Sequence, residues 1–185
     1  MKKAFVLGGM SLALVLASML SAQEPPEMPK PVKEHEWLNQ FVGEWESETE
    51  GQAGPDGPAM HCKGTMKNRM LGGFWVVSEV TNVMDGQEMT AVQTIGYDTE
   101  KKKYVGTWID SMFNHMWKYE GWVDESGKKL VLEAEGPNMM APGQTAKYRD
   151  SYEFKSPDHI VVTSEMQGED GKWTTFMTGN AKKKK

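Results

Sequence analysis

Phe74-Trp75-Val76-Val77-Ser78-Glu79-Val80-Thr81-Asn82-Val83, a break at Asp85-Gly86, then Met89-Thr90-Ala91-Val92-Gln93-Thr94-Ile95-Gly96-Tyr97 is the stretch on which the fold turns. Two short runs rich in β-branched residues flank a dipeptide that tolerates the positive φ of a tight turn. Together they describe a β-hairpin.

The same grammar extends in both directions. Alternating runs predict strands at about 44–50, 60–70, 74–83, 89–97, 103–109, 113–123, 129–135, 146–154, 159–166 and 173–181. Gly72-Gly73, Ser126-Gly127, Ser156-Pro157 and Asp170-Gly171 supply further turn chemistry. Upstream, Trp37, Leu38, Phe41 and Val42 fall on one face of a short helix that Gly43 is suited to stop. About ten consecutive strands joined by short hairpins form a meander, and a meander of that size removes its exposed edges by curling shut. The expectation is therefore an all-β chain: an antiparallel up-and-down β-barrel of about ten strands with a short N-terminal helix plugging one end. A two-sheet sandwich is the alternative.

The ends of the chain carry different messages. Lys2 and Lys3, an apolar run from Ala4 to about Leu16, and the small residues Ala17, Ser18, Ser21 and Ala22 follow the order of a secretory signal. The apolar run is shorter than the roughly 20 residues a spanning helix needs. The reading is a signal peptide at 1–22, cut before Gln23, and a Pro-rich linker at 23–32. A single barrel domain at 33–181 and a lysine tail at 182–185 complete the chain. Cutting would take two lysines and no acid, moving the formal charge from −5 to −7. That acidic balance argues against a nucleic-acid duty, which needs clustered Lys or Arg. An exported location, periplasmic or extracellular in a bacterium, follows, with no transmembrane segment after cleavage. Cys62 is the single cysteine, so no internal disulfide can form; its alternation with Gly64, Met66 and Met70 points it inward as a structural residue.

Several segments carry a resemblance: His35-Glu36-Trp37-Leu38, Val42-Gly43-Glu44-Trp45, Cys62-Lys63-Gly64 and Leu71-Gly72-Gly73-Phe74-Trp75. Ile95-Gly96-Tyr97-Asp98, Gly106-Thr107-Trp108, Glu135-Gly136-Pro137 and Thr145-Ala146-Lys147-Tyr148-Arg149-Asp150 add to it. With these segments the chain resembles the bacterial domain-of-unknown-function family 1579, whose members are often exported and which implies no settled activity. Gly43-Glu44-Trp45 after a helix is also similar to the opening of calycin barrels, among them lipocalins, fatty-acid-binding proteins and nitrobindin-like haem proteins. That likeness implies a cup-shaped barrel and licenses no ligand, because such folds host many functions.

Candidate site residues follow from strand periodicity. On Phe113–Val123, Phe113, His115, Trp117, Tyr119 and Val123 share one face, an aromatic wall with one imidazole. Tyr148, Asp150 and Tyr152 share another, placing one carboxylate among aromatic residues; buried there, it must be paired, hydrogen-bonded or protonated. Gln93 and Trp108 are expected to line the same cavity. Glu133 and Glu135 oppose Leu130, Leu132 and Ala134, so they point to solvent. Met112, His115 and Met116 look like a soft-metal cluster in linear order, yet on a strand the imidazole points away from both thioethers, so no metal site is expected. Haem would need an inward His, with His115 the best placed, and no Cys-x-x-Cys-His motif is present. The sequence calls for no cofactor.

The expected role is non-covalent binding of a small hydrophobic or amphipathic ligand, in a cavity of roughly 300 Å³ or more. The ligand-contacting set is Gln93, Trp108, His115, Trp117, Tyr119, Tyr148, Asp150 and Tyr152. An envelope enzyme using Asp150 or His115 as acid–base, and a structural module with a filled core, are the alternatives.

Overall fold

A computed structural model describes residues 27–52, 59–84 and 86–185. The signal segment, linker residues 23–26 and Asp85 of the expected turn lie outside the described residues. Glu27–Lys30 carries no regular secondary structure.

From Pro31 onward the chain opens with α1 (Lys33–Trp37), which tightens into a 3₁₀ turn at Leu38–Phe41. Ten antiparallel strands follow: β1 (Gly43–Gln52), β2 (Ala59–Leu71), β3 (Trp75–Met84), β4 (Gln87–Asp98) and β5 (Lys103–Asp110). The second half comprises β6 (Trp117–Val123), β7 (Lys129–Pro137), β8 (Thr145–Ser156), β9 (His159–Gln167) and β10 (Trp173–Lys183). Each strand pairs with the next, and β1 pairs with β10 to close the barrel. The up-and-down barrel is what the hairpin spacing predicts, and the sandwich alternative falls with closure. Gly72, Gly86, Gly127 and Gly171 sit at φ of 62°, 81°, 71° and 77° in the expected turns.

Two boundaries differ from expectation. β10 continues past Ala181, so Lys182 and Lys183 belong to the sheet rather than to a free tail. Lys183 is registered with Trp45 and Lys182 with Glu46, and the Lys184 amide donates to the Glu44 carbonyl over 2.8 Å. The exposed edge of β1 offers those lysines backbone partners that water would otherwise supply. β6 begins at Trp117 rather than Phe113. One oxygen of the Asp110 side chain accepts the amides of Met112 (2.8 Å) and Phe113 (2.9 Å), and this local turn diverts the chain before pairing resumes.

The helix seals one end. Leu38, Phe41 and Trp45 are buried there with Tyr104, Leu130, Phe154 and Ile160; burying each large apolar side chain is worth about 1.5–3 kcal/mol. Edge-to-face rings tie the plug to the wall, Phe41 lying 5.0 Å from Phe154 and 5.6 Å from Tyr152. Hydrogen bonds fix its orientation. The Phe41 carbonyl accepts from the Trp45 indole at 2.8 Å and the Asn68 amide at 2.9 Å. The Trp37 indole reaches the Gly127 carbonyl at 2.8 Å. His35, buried, accepts the Val32 amide at Nδ1 and donates from Nε2 to the Tyr97 carbonyl, an arrangement that demands the Nε2–H tautomer.

Candidate functional site

At the opposite end the side chains leave space between them. They line a cavity of about 270 Å³, just under the roughly 300 Å³ expected of a small-molecule site. Its inner part is walled by Gln93, Tyr119, Asp150 and Tyr152, and its outer part by Trp108, Trp117, Tyr148 and Phe176. Phe113 and Met139, from the β5–β6 and β7–β8 loops, lie at the mouth.

Strand periodicity accounts for most of this wall. Tyr119 on β6, Tyr148 and Tyr152 on β8 and Gln93 on β4 are all buried inward. Trp108 points in from β5 and turns its indole N–H onto Asp110 at 2.8 Å. The Trp117 ring packs edge-to-face with Tyr148, centroids 4.9 Å apart. It rests on the bare backbone of Gly136, where an added Cβ would fall inside contact distance of the indole.

Asp150 is the chemical centre. The Tyr119 hydroxyl donates to one carboxylate oxygen at 2.6 Å and the Ser164 hydroxyl to the other at 2.5 Å. Burial pushes its carboxyl above the ordinary range, and those two donors pull in the opposite direction. Tyr119 is raised well above the usual phenol, first by burial and then by the neighbouring charge of Asp150. Tyr152 is raised by burial as well, while the Gln93 amide donates to its oxygen at 2.8 Å across the barrel. Tyr148 is committed differently. Its hydroxyl donates to the Pro137 carbonyl at 2.8 Å and steadies the β7–β8 loop.

Seven of the eight expected site residues thus line one cavity. His115 does not. The turn at Asp110 lifts it off the strand into the loop, where its ring stands edge-on to Trp117 at 4.9 Å and its Nε2 is buried without a hydrogen-bond partner. Met112 and Met116 are exposed in the same loop, so the linear Met-His-Met order builds no cluster. Among the described residues no group of three or more His, Cys, Asp or Glu is arranged to hold a metal ion. Cys62 has the inward alternation expected of it but is only half-buried. Glu133 faces out and pairs with Arg149.

Sequence periodicity as applied above missed Ser164 and Phe176. Ser164 is discoverable, since period two from Ile160 and Val162 carries the inward face onto it. Phe176 is not, because a bulge between Thr175 and Met177 turns two consecutive residues toward the cavity.

A family model described as a protein of unknown function (DUF1579) matches residues 30–183. The chain belongs to the DUF1579 family. No curated protein matches this DUF1579 chain. Among solved structures it is similar to Rv2717c from M. tuberculosis, with 10% identity, 84% of this chain and 100% of that one covered, and a TM-score of 0.60. It is also similar to the S-type phycobiliprotein lyase CPES from Guillardia theta, with 12% identity, coverage of 81% and 92%, and a TM-score of 0.54. A redesigned β-barrel, mFAP0, bound to DFHBI, matches at 12% identity with coverage of 78% and 99% and a TM-score of 0.43. At these identities the first two likenesses speak for the barrel fold alone.

Proposed function

We propose that this protein is an exported carrier or receptor that holds a small, partly apolar molecule in its barrel. One observation carries the reading: an aromatic-walled cavity of about 270 Å³ converges on a hydrogen-bonded polar centre at Asp150. Aromatic walls supply burial, and a few fixed polar groups supply orientation. Trp108, Trp117 and Tyr152 stand around the space instead of filling it, which supports binding over a structural module with a solid core. The basic, apolar and small-residue order of residues 1–22 supports export.

The test uses a neutral fluorescent probe, N-phenyl-1-naphthylamine, with the purified protein and with Gly136→Ala. The added methyl should push the Trp117 ring into the cavity, so the expected result is saturable binding weakened about tenfold or more in the variant. No saturable binding to the parent protein, or equal binding to both, overturns the reading. Intact mass after cell fractionation tests export: a chain lacking residues 1–22 is expected outside the cytoplasm, and a full-length cytosolic chain defeats that part.

Acid–base catalysis by Asp150 is the second reading, favoured by the upward pressure that burial puts on its carboxyl. Native mass spectrometry separates the two. A binder retains its ligand unchanged, and an enzyme converts the released compound when it is added back in excess.

A further inference from the structure

We infer that the ligand is a cation: a compact protonated amine carrying an apolar or aromatic body. The inference rests on the cavity-binding reading and adds the charge of the occupant.

The sign of the cavity leads to it. Among the described residues that line the space, Asp150 is the only one with a charged side chain. No Lys, Arg or His faces it across the cavity. The ion pairs of the neighbouring strands stay on the outer face, as with Arg149 on Glu133. A further carboxylate beside the cavity wall, Asp110 on Trp108, has the same sign. An enclosed carboxylate without a counter-ion is unfavourable unless something compensates it.

Two hydroxyls compensate it in part. Tyr119 and Ser164 each donate one hydrogen bond, but a carboxylate has about four acceptor sites, and neither donor brings charge. Two lone-pair directions remain for an occupant, and a cation placed there favours the ionised carboxylate that burial alone disfavours. An ammonium group supplies N–H donors and the missing charge together. A neutral alcohol supplies one donor and no charge, and a carboxylate ligand adds repulsion.

The walls point the same way. Seven of the eighteen lining residues are aromatic, and aromatic faces attract cations while offering nothing comparable to anions. An aromatic enclosure around one carboxylate therefore selects for positive charge twice, by Coulomb attraction and by the ring quadrupoles. The volume of about 270 Å³ sets the scale at a compact molecule.

Displacement of N-phenyl-1-naphthylamine by three ligands of one shape tests this: protonated 2-phenylethylamine, 2-phenylethanol and phenylacetate. The expected order is the ammonium compound about tenfold or more tighter than the alcohol, with phenylacetate weakest. In Asp150→Asn, the ammonium compound should lose its advantage and fall to the level of the alcohol, both measured against the neutral probe in that same variant. If alcohol or phenylacetate competes as well as the ammonium compound, or if the Asn variant keeps the preference, the cation assignment is overturned and the cavity reading stands. If the neutral probe itself finds no site, both fall. The comparison of the three ligands on the unaltered protein stands even if the variant does not fold.

Discussion

The two ends of this barrel are built from the same kinds of residue and reach opposite results. At the plugged end Leu38, Phe41 and Trp45 meet Tyr104, Leu130 and Phe154 with almost no exposure. At the open end Trp117 packs edge-on against Tyr148 and Tyr148 against Phe176, yet with Trp108 these rings line a void. The difference lies in what fills the middle. The helix delivers Leu38 and Phe41 into the first end, whereas among the described residues the second receives only loop residues at its rim. Aromatic content alone therefore does not make a core, and a barrel without an inserted element keeps a cavity. Tyr152 stands at the boundary, touching Phe41 on one side and lining the cavity on the other.

Three changes would break or sharpen that contrast. The largest effect is expected from Trp45→Ala, because a fully buried indole is lost and its bond to the Phe41 carbonyl with it. The cost should be about 3–5 kcal/mol in urea unfolding, against about 1–2 kcal/mol for the half-buried Trp117→Ala at the cavity. Equal costs at the two ends would erase the distinction.

Asp150→Asn should have an intermediate effect that depends on pH. Burial raises the native carboxyl above its unfolded value, so the folded state holds the proton more tightly. That contribution is fully present below the unfolded value and is lost as pH rises through the folded one. The variant lacks this titration, so its stability relative to the parent should improve in paired urea titrations as pH rises from the ordinary carboxylate value through the raised folded one. A flat difference would show that Tyr119 and Ser164 cancel the burial cost entirely.

The smallest effect belongs to the outer face. Lys101 and Lys103 hold the exposed Glu120 down to about 2. Its contribution is present above the ordinary carboxylate value and disappears as pH falls through that lowered one. Glu120→Gln should leave the thermal midpoint at pH 7 within experimental error, since solvent screens the pair. A clear drop would mean that the surface network stabilises the barrel alongside the plug.

Much of the fold was legible because turn chemistry and period-two alternation are local. Asp170-Gly171 and Ser126-Gly127 mark hairpins wherever the strands go, and alternation aims Tyr119, Asp150 and Tyr152 to one side without knowledge of their partners. His115 was misplaced by the same logic. Alternation continues through a turn on paper, while the Asp110 side chain ends the strand in space. Lys182 and Lys183 look like a solvated tail until the edge of β1 pairs with them.

The sequence by itself determined the class of fold, the number of strands, the placement of a helix before them and the inward aim of most cavity residues. These depend on neighbours a few positions apart, where backbone sterics and side-chain polarity act directly. Only the tertiary structure decided that Ser164 and Tyr119 would converge on Asp150, that Gln93 would bond Tyr152 from across the barrel, and that one end would fill while the other stayed open. Those outcomes join residues 14, 31 and 59 positions apart. They follow from where the sheet closes on itself, a property of all ten strands together.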